Sequence, residues 1–328
     1  MHVSPTVWII TVVALAVVLF VDIAVIGRRP HEPSLRECAV AIAVYVGLAV
    51  AFGVGVGFIS GGRYAGEFFA GWITEYSLSI DNLFVFIIIM GALKVPRIYQ
   101  QTALLIGIVL ALVFRGVFIA IGAAVINQFA WVFYLFGAFL VYTAIDLARH
   151  RSMEDEEYQE NRLIRFARTR LPFTSDYHGT ALLTRVAGRR LATPMLLVVV
   201  ALGTTDLLFA LDSIPAIFGL TREPFLVFTA NVFALMGLRQ LYFLIGGLLS
   251  RLVYLKIGLA VVLGFIGVKL VLHALHENNL PFVNGGEGIG WAPDLGIAVS
   301  LGFIGATLVV TVVASLLRSR RDAVASAE

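Results

Sequence analysis

Apolar residues run along this chain in long blocks, separated by short polar joints. Most blocks hold twenty or more predominantly apolar residues, the length a helix needs to cross a bilayer. The pattern predicts nine spans, at about 7–27, 38–59, 66–92, 101–126, 130–149, 194–220, 224–249, 254–276 and 295–317. The first block, Val7 to Gly27, has no Lys or Arg before it and is followed by Arg28 and Arg29, so it reads as a retained span rather than a cleaved leader. One hydrophilic stretch breaks the series, from His150 to about Thr193. It carries an acidic run (Glu154, Asp155, Glu156, Glu157, Glu160) and then a basic run (Arg162, Arg165, Arg168, Arg170).

Composition agrees with the pattern. Of 328 residues, 59% are hydrophobic and only 14% charged, too little polar surface for a soluble domain of this size. The fold class expected is all-α: a polytopic membrane protein of about nine transmembrane helices, with the lipid bilayer as its surroundings. Residues 1–65 hold two N-terminal spans, 66–149 a first three-span unit and 150–193 a cytoplasmic loop. Residues 194–276 hold a second three-span unit, and 277–328 an outer loop and the last span. The single cysteine, Cys38, excludes a disulfide within the chain. No Walker loop, HExxH, CxxC or nucleic-acid motif is present, so no resident cofactor, no nucleic-acid partner and no enzymatic activity are expected.

Charge distribution orients the spans. Loops after odd-numbered spans hold Arg28, Arg29 and Arg36; Lys94 and Arg97; the Arg-rich long loop; Arg251 and Lys256; and Arg318, Arg320 and Arg321. Loops after even-numbered spans hold only Arg63 and Arg222. The positive-inside rule then places the N-terminus outside, and the long loop and C-terminus in the cytoplasm.

Spans 3–5 and 6–8 read as copies. Glu75 and Asp81 stand six apart, as do Asp206 and Asp212, and each second acid is followed by a small polar residue, Asn82 or Ser213. Arg115 precedes Ile121-Gly122 by the same offset at which Arg239 precedes Ile245-Gly246. Gly137 precedes Tyr142 and Asp146 as Gly264 precedes Lys269 and His273. The two units would enter the membrane from opposite sides, giving an inverted three-plus-three core of the kind that builds midplane sites in secondary transporters. The alternative is chance likeness among Leu/Val/Gly-rich helices.

Seven charges fall deep inside spans: Glu75, Asp81, Asp206, Asp212, Arg115, Arg239 and Lys269. Each costs about 2.5–3.5 kcal/mol at the bilayer centre on an insertion scale, so function is the default reading. On an unbroken helix Glu75 and Asp81 lie about 9 Å apart along the axis and about 120° apart around it. Inversion instead brings Asp81 and Asp212 together near the midplane, with Glu75 toward the outside and Asp206 toward the inside, as a ladder of carboxylates. Ser79, Asn82, Thr205, Ser213 and Asn231 would add neutral oxygens. So would the carbonyl of Leu211, whose helical partner Pro215 removes. An all-oxygen set suits a hard divalent cation such as Mg²⁺, Ca²⁺ or Mn²⁺. The competing reading is structural, with Asp81 neutralising Arg115 and Asp212 neutralising Arg239. A third joins the two: a basic side chain fills the site and leaves when metal enters. For Arg115 and Arg239, pairing or gating is the expected role, and Lys269 is grouped with them.

Weaker signals remain. His273 and His276 share a helix face and would either pass protons or metal outward or sit satisfied at the interface. His150, His178 and the acidic run form either a metal-sensing patch or a solvated segment. Asp22 and Asp146 mark interfaces.

The segment Glu75–Phe86, EYSLSIDNLFVF, resembles the first signature of the TerC family of bacterial integral membrane proteins. Asp206–Phe218, DLLFALDSIPAIF, resembles its second, and Pro224–Phe243, PFLVFTANVFALMGLRQLYF, continues the likeness. The resemblance covers roughly spans 1 to 8. It implies a role in tellurium resistance or manganese export, and Mn²⁺ as substrate at Glu75, Asp81, Asp206 and Asp212 with Asn82 and Ser213. The sequence departs at Gly203-Thr204-Thr205, where many members carry an acid shortly before the position of Asp206. The expectation is a multi-pass transporter in a bacterial plasma membrane that exports Mn²⁺ in exchange for protons or another cation. Two rivals belong to other classes. One is a non-transporting scaffold of a tellurite-resistance or envelope-stress complex. The other is an intramembrane enzyme using paired acids, which no sequence feature selects.

Overall fold

The computed structural model describes residues 3–28, 33–129, 131–149, 172–186, 189–245, 252–276, 278, 280, 284, 287–289, 293 and 295–325; side chains of 23–28, 81, 84, 127, 189, 212, 245 and 320–325 fall outside this set. The acidic and basic runs at 154–170 and His150 also lie outside it.

Ten helices and one hairpin make up the described chain: α1 Pro5–Arg28, α2 Leu35–Ser60, α3 Gly62–Ala92, α4 Arg97–Gln128, α5 Val132–Arg149, β1 Leu183–Val186, β2 Arg189–Ala192, α6 Pro194–Phe218, α7 Pro224–Met236, α8 Leu238–Ile245, α9 Leu255–His276 and α10 Ile297–Ala325. Among the described residues, nine stretches are long and apolar enough to cross a membrane, and they follow the nine expected spans. The chain is a multi-pass membrane protein. Helix starts obey local chemistry. Ser34 and Glu37 form a reciprocal capping box at the head of α2. Pro194 and Pro224 open α6 and α7, where a missing N–H costs nothing.

The seventh span differs from expectation. It is read from sequence as one helix over 224–249, but it breaks at Gly237 into α7 and α8. Every residue of α7 from Phe225 to Met236 except Phe228 is buried, which makes it the most enclosed of the described helices. By contrast α1, α2 and α10 turn many large apolar residues outward, such as Phe20, Phe58 and Val310. That is the surface lipid tails would cover.

The chief helix contacts are α5 with α9, α3 with α7, and α4 with α6. At the first of these the backbones touch. A Cβ on Gly137 would lie 2.8 Å from the Gly267 carbonyl oxygen, and one on Gly267 would lie 2.9 Å from the Gly137 carbonyl oxygen. Only glycine permits so close an approach. Buried apolar residues form two cores. One includes Phe68, Trp72, Ile119, Ala210, Ile214 and Leu263; the other includes Leu83, Phe86, Leu104, Ile108, Met195 and Leu202.

The stretch expected to be loop from 150 to 193 contains an antiparallel hairpin, with Leu183 paired to Ala192 and Val186 to Arg189. Four-residue strands rich in arginine give almost no apolar alternation, which is why the pattern hides them. The Tyr177 hydroxyl donates to the Leu93 carbonyl at 2.7 Å and ties this region to the end of α3. Burial pushes the Tyr177 phenol up, so it stays a donor at neutral pH.

Candidate buried carboxylate site

The two cores meet around one polar cluster. On α4, Arg115 stands between Ala111 of one core and Ile119 of the other. On α6, Asp206 stands between Leu202 and Ala210. Asp206 is the middle residue of the 25-residue α6, about 18 Å from either end by helical rise.

Arg115 is the hub. Its Nη1 donates to Glu75 Oε2 at 2.6 Å, to Asn231 Oδ1 at 2.9 Å and to Ser213 Oγ at 3.2 Å. Its other edge grips Asp206 as a fork, Nη2 to Oδ1 at 3.3 Å and Nε to Oδ2 at 3.4 Å. Five oxygens from α3, α6 and α7 therefore converge on one planar cation. Nη1 has two hydrogens and three acceptors, so they share. All five residues are at most 2% exposed. Asn231 is aimed by its own Nδ2, which donates to the Val227 carbonyl at 3.0 Å. Asp206 and Ser213 are seven apart on α6, two turns, and so present one face to the guanidinium.

Two carboxylates and one guanidinium leave the cluster with a charge of −1 when both acids are ionised. Glu75 Oε1 is buried without a hydrogen-bond partner among the described residues, and so is Ser79 Oγ one turn further along α3. The cluster thus has unused acceptor capacity among buried residues, where an unpaired oxygen costs most.

These contacts correct one expectation and add to another. The ladder separates Glu75 and Asp206 toward opposite faces of the membrane, whereas the structure joins them on one arginine. The structural reading gives Arg115 to Asp81 and Arg239 to Asp212. Among the described residues Arg115 takes Glu75 and Asp206, and Arg239 Nη2 pairs with Asp22 Oδ1 on α1 at 2.9 Å; the two aspartates of that reading have side chains outside the described set. Asp22 is therefore an ion-pair partner and more than an interface marker. Helix rotation, which sequence spacing leaves open, decides both pairings. The Asp81 and Asp212 side chains lie outside the described set, and their backbones run within α3 and α6. Asn82 is buried on α3 and Thr205 is half-buried on α6. No group of three or more His, Cys, Asp or Glu side chains converges as a metal-ligand set among the described residues.

Lys269 belongs to a different place. Its Nζ donates to Ser300 Oγ at 3.0 Å, and it lines a cavity of about 510 Å³ at the ends of α3, α6 and α9. Arg222 contacts His273 Nε2 there, and its guanidinium stacks 4.5 Å over the Phe133 ring. His273 thus fits the satisfied interfacial reading, and His276 is exposed. Sequence reasoning missed Glu67 in this cavity. Its buried carboxylate accepts from Arg63 Nε at 2.9 Å and from Thr221 Oγ1 at 2.7 Å. The spacing of Arg63 and Glu67, one helical turn, is the signal that could have found it.

Comparison with known proteins places this architecture. The chain is 49% identical over 292 residues to an uncharacterized membrane protein of Mycobacterium tuberculosis, covering 88% of this chain and 74% of that one. It is 46% identical over 242 residues to the chloroplastic thylakoid membrane protein TERC of Arabidopsis thaliana, covering 74% and 63% of the two chains. It is 36% identical over 279 residues to Alx of Escherichia coli, named as a candidate membrane-bound redox modulator, covering 82% and 86%. No solved structure matches the chain at a significant level. Residues 60–323 match the family described as Integral membrane protein TerC family, and they take in every residue of the Arg115 cluster; the chain belongs to that family.

Proposed function

We propose that this protein carries a divalent metal cation across the membrane, with Mn²⁺ export from a bacterial cytoplasm as its function. The observation that carries the reading is the set of five oxygens converging on Arg115 at the centre of α6. Carboxylate, hydroxyl and amide oxygens with no sulfur suit a hard divalent ion. In the arrangement described, the guanidinium sits where such an ion would sit, and forks onto Asp206 as a planar cation can. Metal entry would displace Arg115 from Glu75 and Asp206, and its return would expel the ion. The charge of −1 left on the cluster suits exchange against a proton or another cation. Asp81 and Asp212, one to two turns away along α3 and α6, would form the next stations. Arg239 and Lys269 hold positions outside this exchange.

The inverted three-plus-three core belongs to the same proposal. Swapping α3, α4 and α5 for α6, the α7–α8 span and α9 turns the α3–α7 contact into α6–α4 and leaves α5–α9 unchanged, and these are the chief contacts of the fold. The N-terminus would face outside and the C-terminus the cytoplasm, in a bacterial plasma membrane. Redox modulation, which the name of the E. coli relative suggests for that protein, would not run through a thiol pair within this chain, because its one cysteine, Cys38, is buried and has no partner thiol.

The test is cellular manganese under Mn²⁺ load in cells lacking their own exporter. Wild type, Glu75→Gln, Asp206→Asn, Asp81→Asn and Asp212→Asn are compared at matched membrane levels. Lower manganese with wild type and not with Glu75→Gln or Asp206→Asn is the expected result. Equal manganese in every strain overturns Mn²⁺ export. Intact tellurite or envelope-stress phenotypes after neutralisation of these acids would favour the scaffold reading.

A further inference from the structure

The hairpin carries a feature that cation transport does not use. Arg185 on β1 and Arg190 on β2 are direct cross-strand partners, and both are exposed. Directly opposed side chains on one face have Cβ atoms about 4.5–5.5 Å apart, and like charges in that position repel. Neither arginine has a carboxylate partner, a hydrogen-bond acceptor or an aromatic ring against it among the described residues. A pair of unneutralised guanidiniums held side by side by a backbone ladder is a fork open to an anion with several oxygens, and a phosphate has that form.

The hairpin also sits at a membrane face. β2 ends at Ala192, and the membrane-spanning α6 begins at Pro194. An extended strand puts Arg190 at most about 13 Å from Pro194. The Tyr177 bond to Leu93 and the Thr193 Oγ1 bond to the Ala181 carbonyl, 2.6 Å, hold the base of the hairpin against the ends of α3 and α6. Alternation along β1 puts Leu183 on the same face as Arg185 and two residues nearer that base, and Leu183 is 59% exposed. An apolar side chain toward the bilayer and two cations just above it match the order of layers in a phospholipid leaflet: acyl boundary, then phosphate.

We infer that Arg185 and Arg190 form a clamp for the phosphate of an anionic phospholipid in the leaflet bordering the hairpin. The bound lipid would relieve the repulsion between the two arginines and fix the hairpin against the membrane. It would also anchor the connection between the two three-span units to lipid composition.

The experiment uses the full chain in an uncharged detergent. It is titrated separately with short-chain phosphatidylglycerol, short-chain phosphatidylcholine and sodium phosphate, and binding is read by microscale thermophoresis. Phosphatidylglycerol should bind more tightly than phosphatidylcholine, by about fivefold for each arginine engaged. The preference should weaken as ionic strength rises. Arg185→Gln with Arg190→Gln should abolish it. Arg185→Glu separates binding from folding, since it creates a favourable cross-strand pair with Arg190 and so keeps or strengthens the hairpin while destroying the clamp. Equal affinity for the two lipids overturns the inference. So does a phosphatidylglycerol preference that survives Arg185→Glu. Binding of sodium phosphate as tight as that of phosphatidylglycerol assigns the fork to a free anion and also overturns the lipid site.

Discussion

Two arginines lie buried in this membrane protein at matching offsets of two similar sequence stretches, yet they hold different things. Arg115 gathers two carboxylates, a serine and an asparagine from three helices, and its side chain and both acids are at most 2% exposed. Arg239 holds one carboxylate, Asp22, on the peripheral α1; the pair is 9% and 19% exposed. Its Nη1 is buried without a partner among the described residues. The first arginine binds the centre together, and on the proposed function it would compete with any other cation there. The second fastens a rim helix to the bundle. Equal spacing along the chain therefore says nothing of equal role; the face each helix turns inward decides it.

That contrast can be broken by substitution. Arg115→Ala strands two buried acids and should cost about 3–5 kcal/mol, the range for breaking a buried ion pair by removing one partner. Thermal unfolding of the detergent-purified protein, or failure to accumulate in the membrane, would register it. Arg239→Ala should cost less, about 1.5–3 kcal/mol, as for loss of a hydrogen bond between charged groups. Equal losses would mean that the two arginines contribute alike to the bundle.

A sharper version removes the whole central charge set. Arg115→Met with Glu75→Gln and Asp206→Asn should recover most of the stability lost in Arg115→Ala, because no uncompensated charge remains. Manganese content under load should still match that of cells without the protein. Recovery of both stability and export would mean that the cluster is structural alone.

The smallest effect lies at the rim. Tyr45 on α2 lies within electrostatic reach of Asp22, so Tyr45→Phe should lower stability by at most about 0.6 kcal/mol, the average for side-chain hydrogen bonds within membranes. The same unfolding measurement would resolve it only against Asp22→Asn in a double-mutant cycle, where the two changes should not add.

Much of this was legible beforehand. Long apolar blocks have one physical solution in a bilayer, since only helices satisfy their own backbone there in a chain of this pattern. The spans followed directly. Glu75, Asp206, Ser213, Asn231 and Arg115 stood out individually because a polar group at membrane depth needs a reason. Their mutual pairing did not, because Arg115 meets Asp206 across 91 positions of sequence and Asn231 across 116. Such contacts depend on helix rotation and tilt, which a one-dimensional pattern does not encode. The break at Gly237 escaped notice because apolar residues continue through it. Glu67 was hidden at the edge of a span, where a charge looks ordinary.

The meeting of two apolar cores around Asp206 has an electrical consequence. Close apolar packing insulates, so a voltage across the membrane would fall mainly over the two cores and little within the polar cluster between them. Moving one elementary charge across a whole membrane is worth about 2.3 kcal/mol per 100 mV. Asp206 stands midway along α6, so a unit charge reaching the cluster from either face crosses roughly half of that field, about 1.2 kcal/mol per 100 mV. On the proposed exchange, a divalent ion would feel twice as much, and a proton returning the other way the single share. On the proposed function, the position of one aspartate would thus set how strongly membrane voltage acts on each half of the ion's passage.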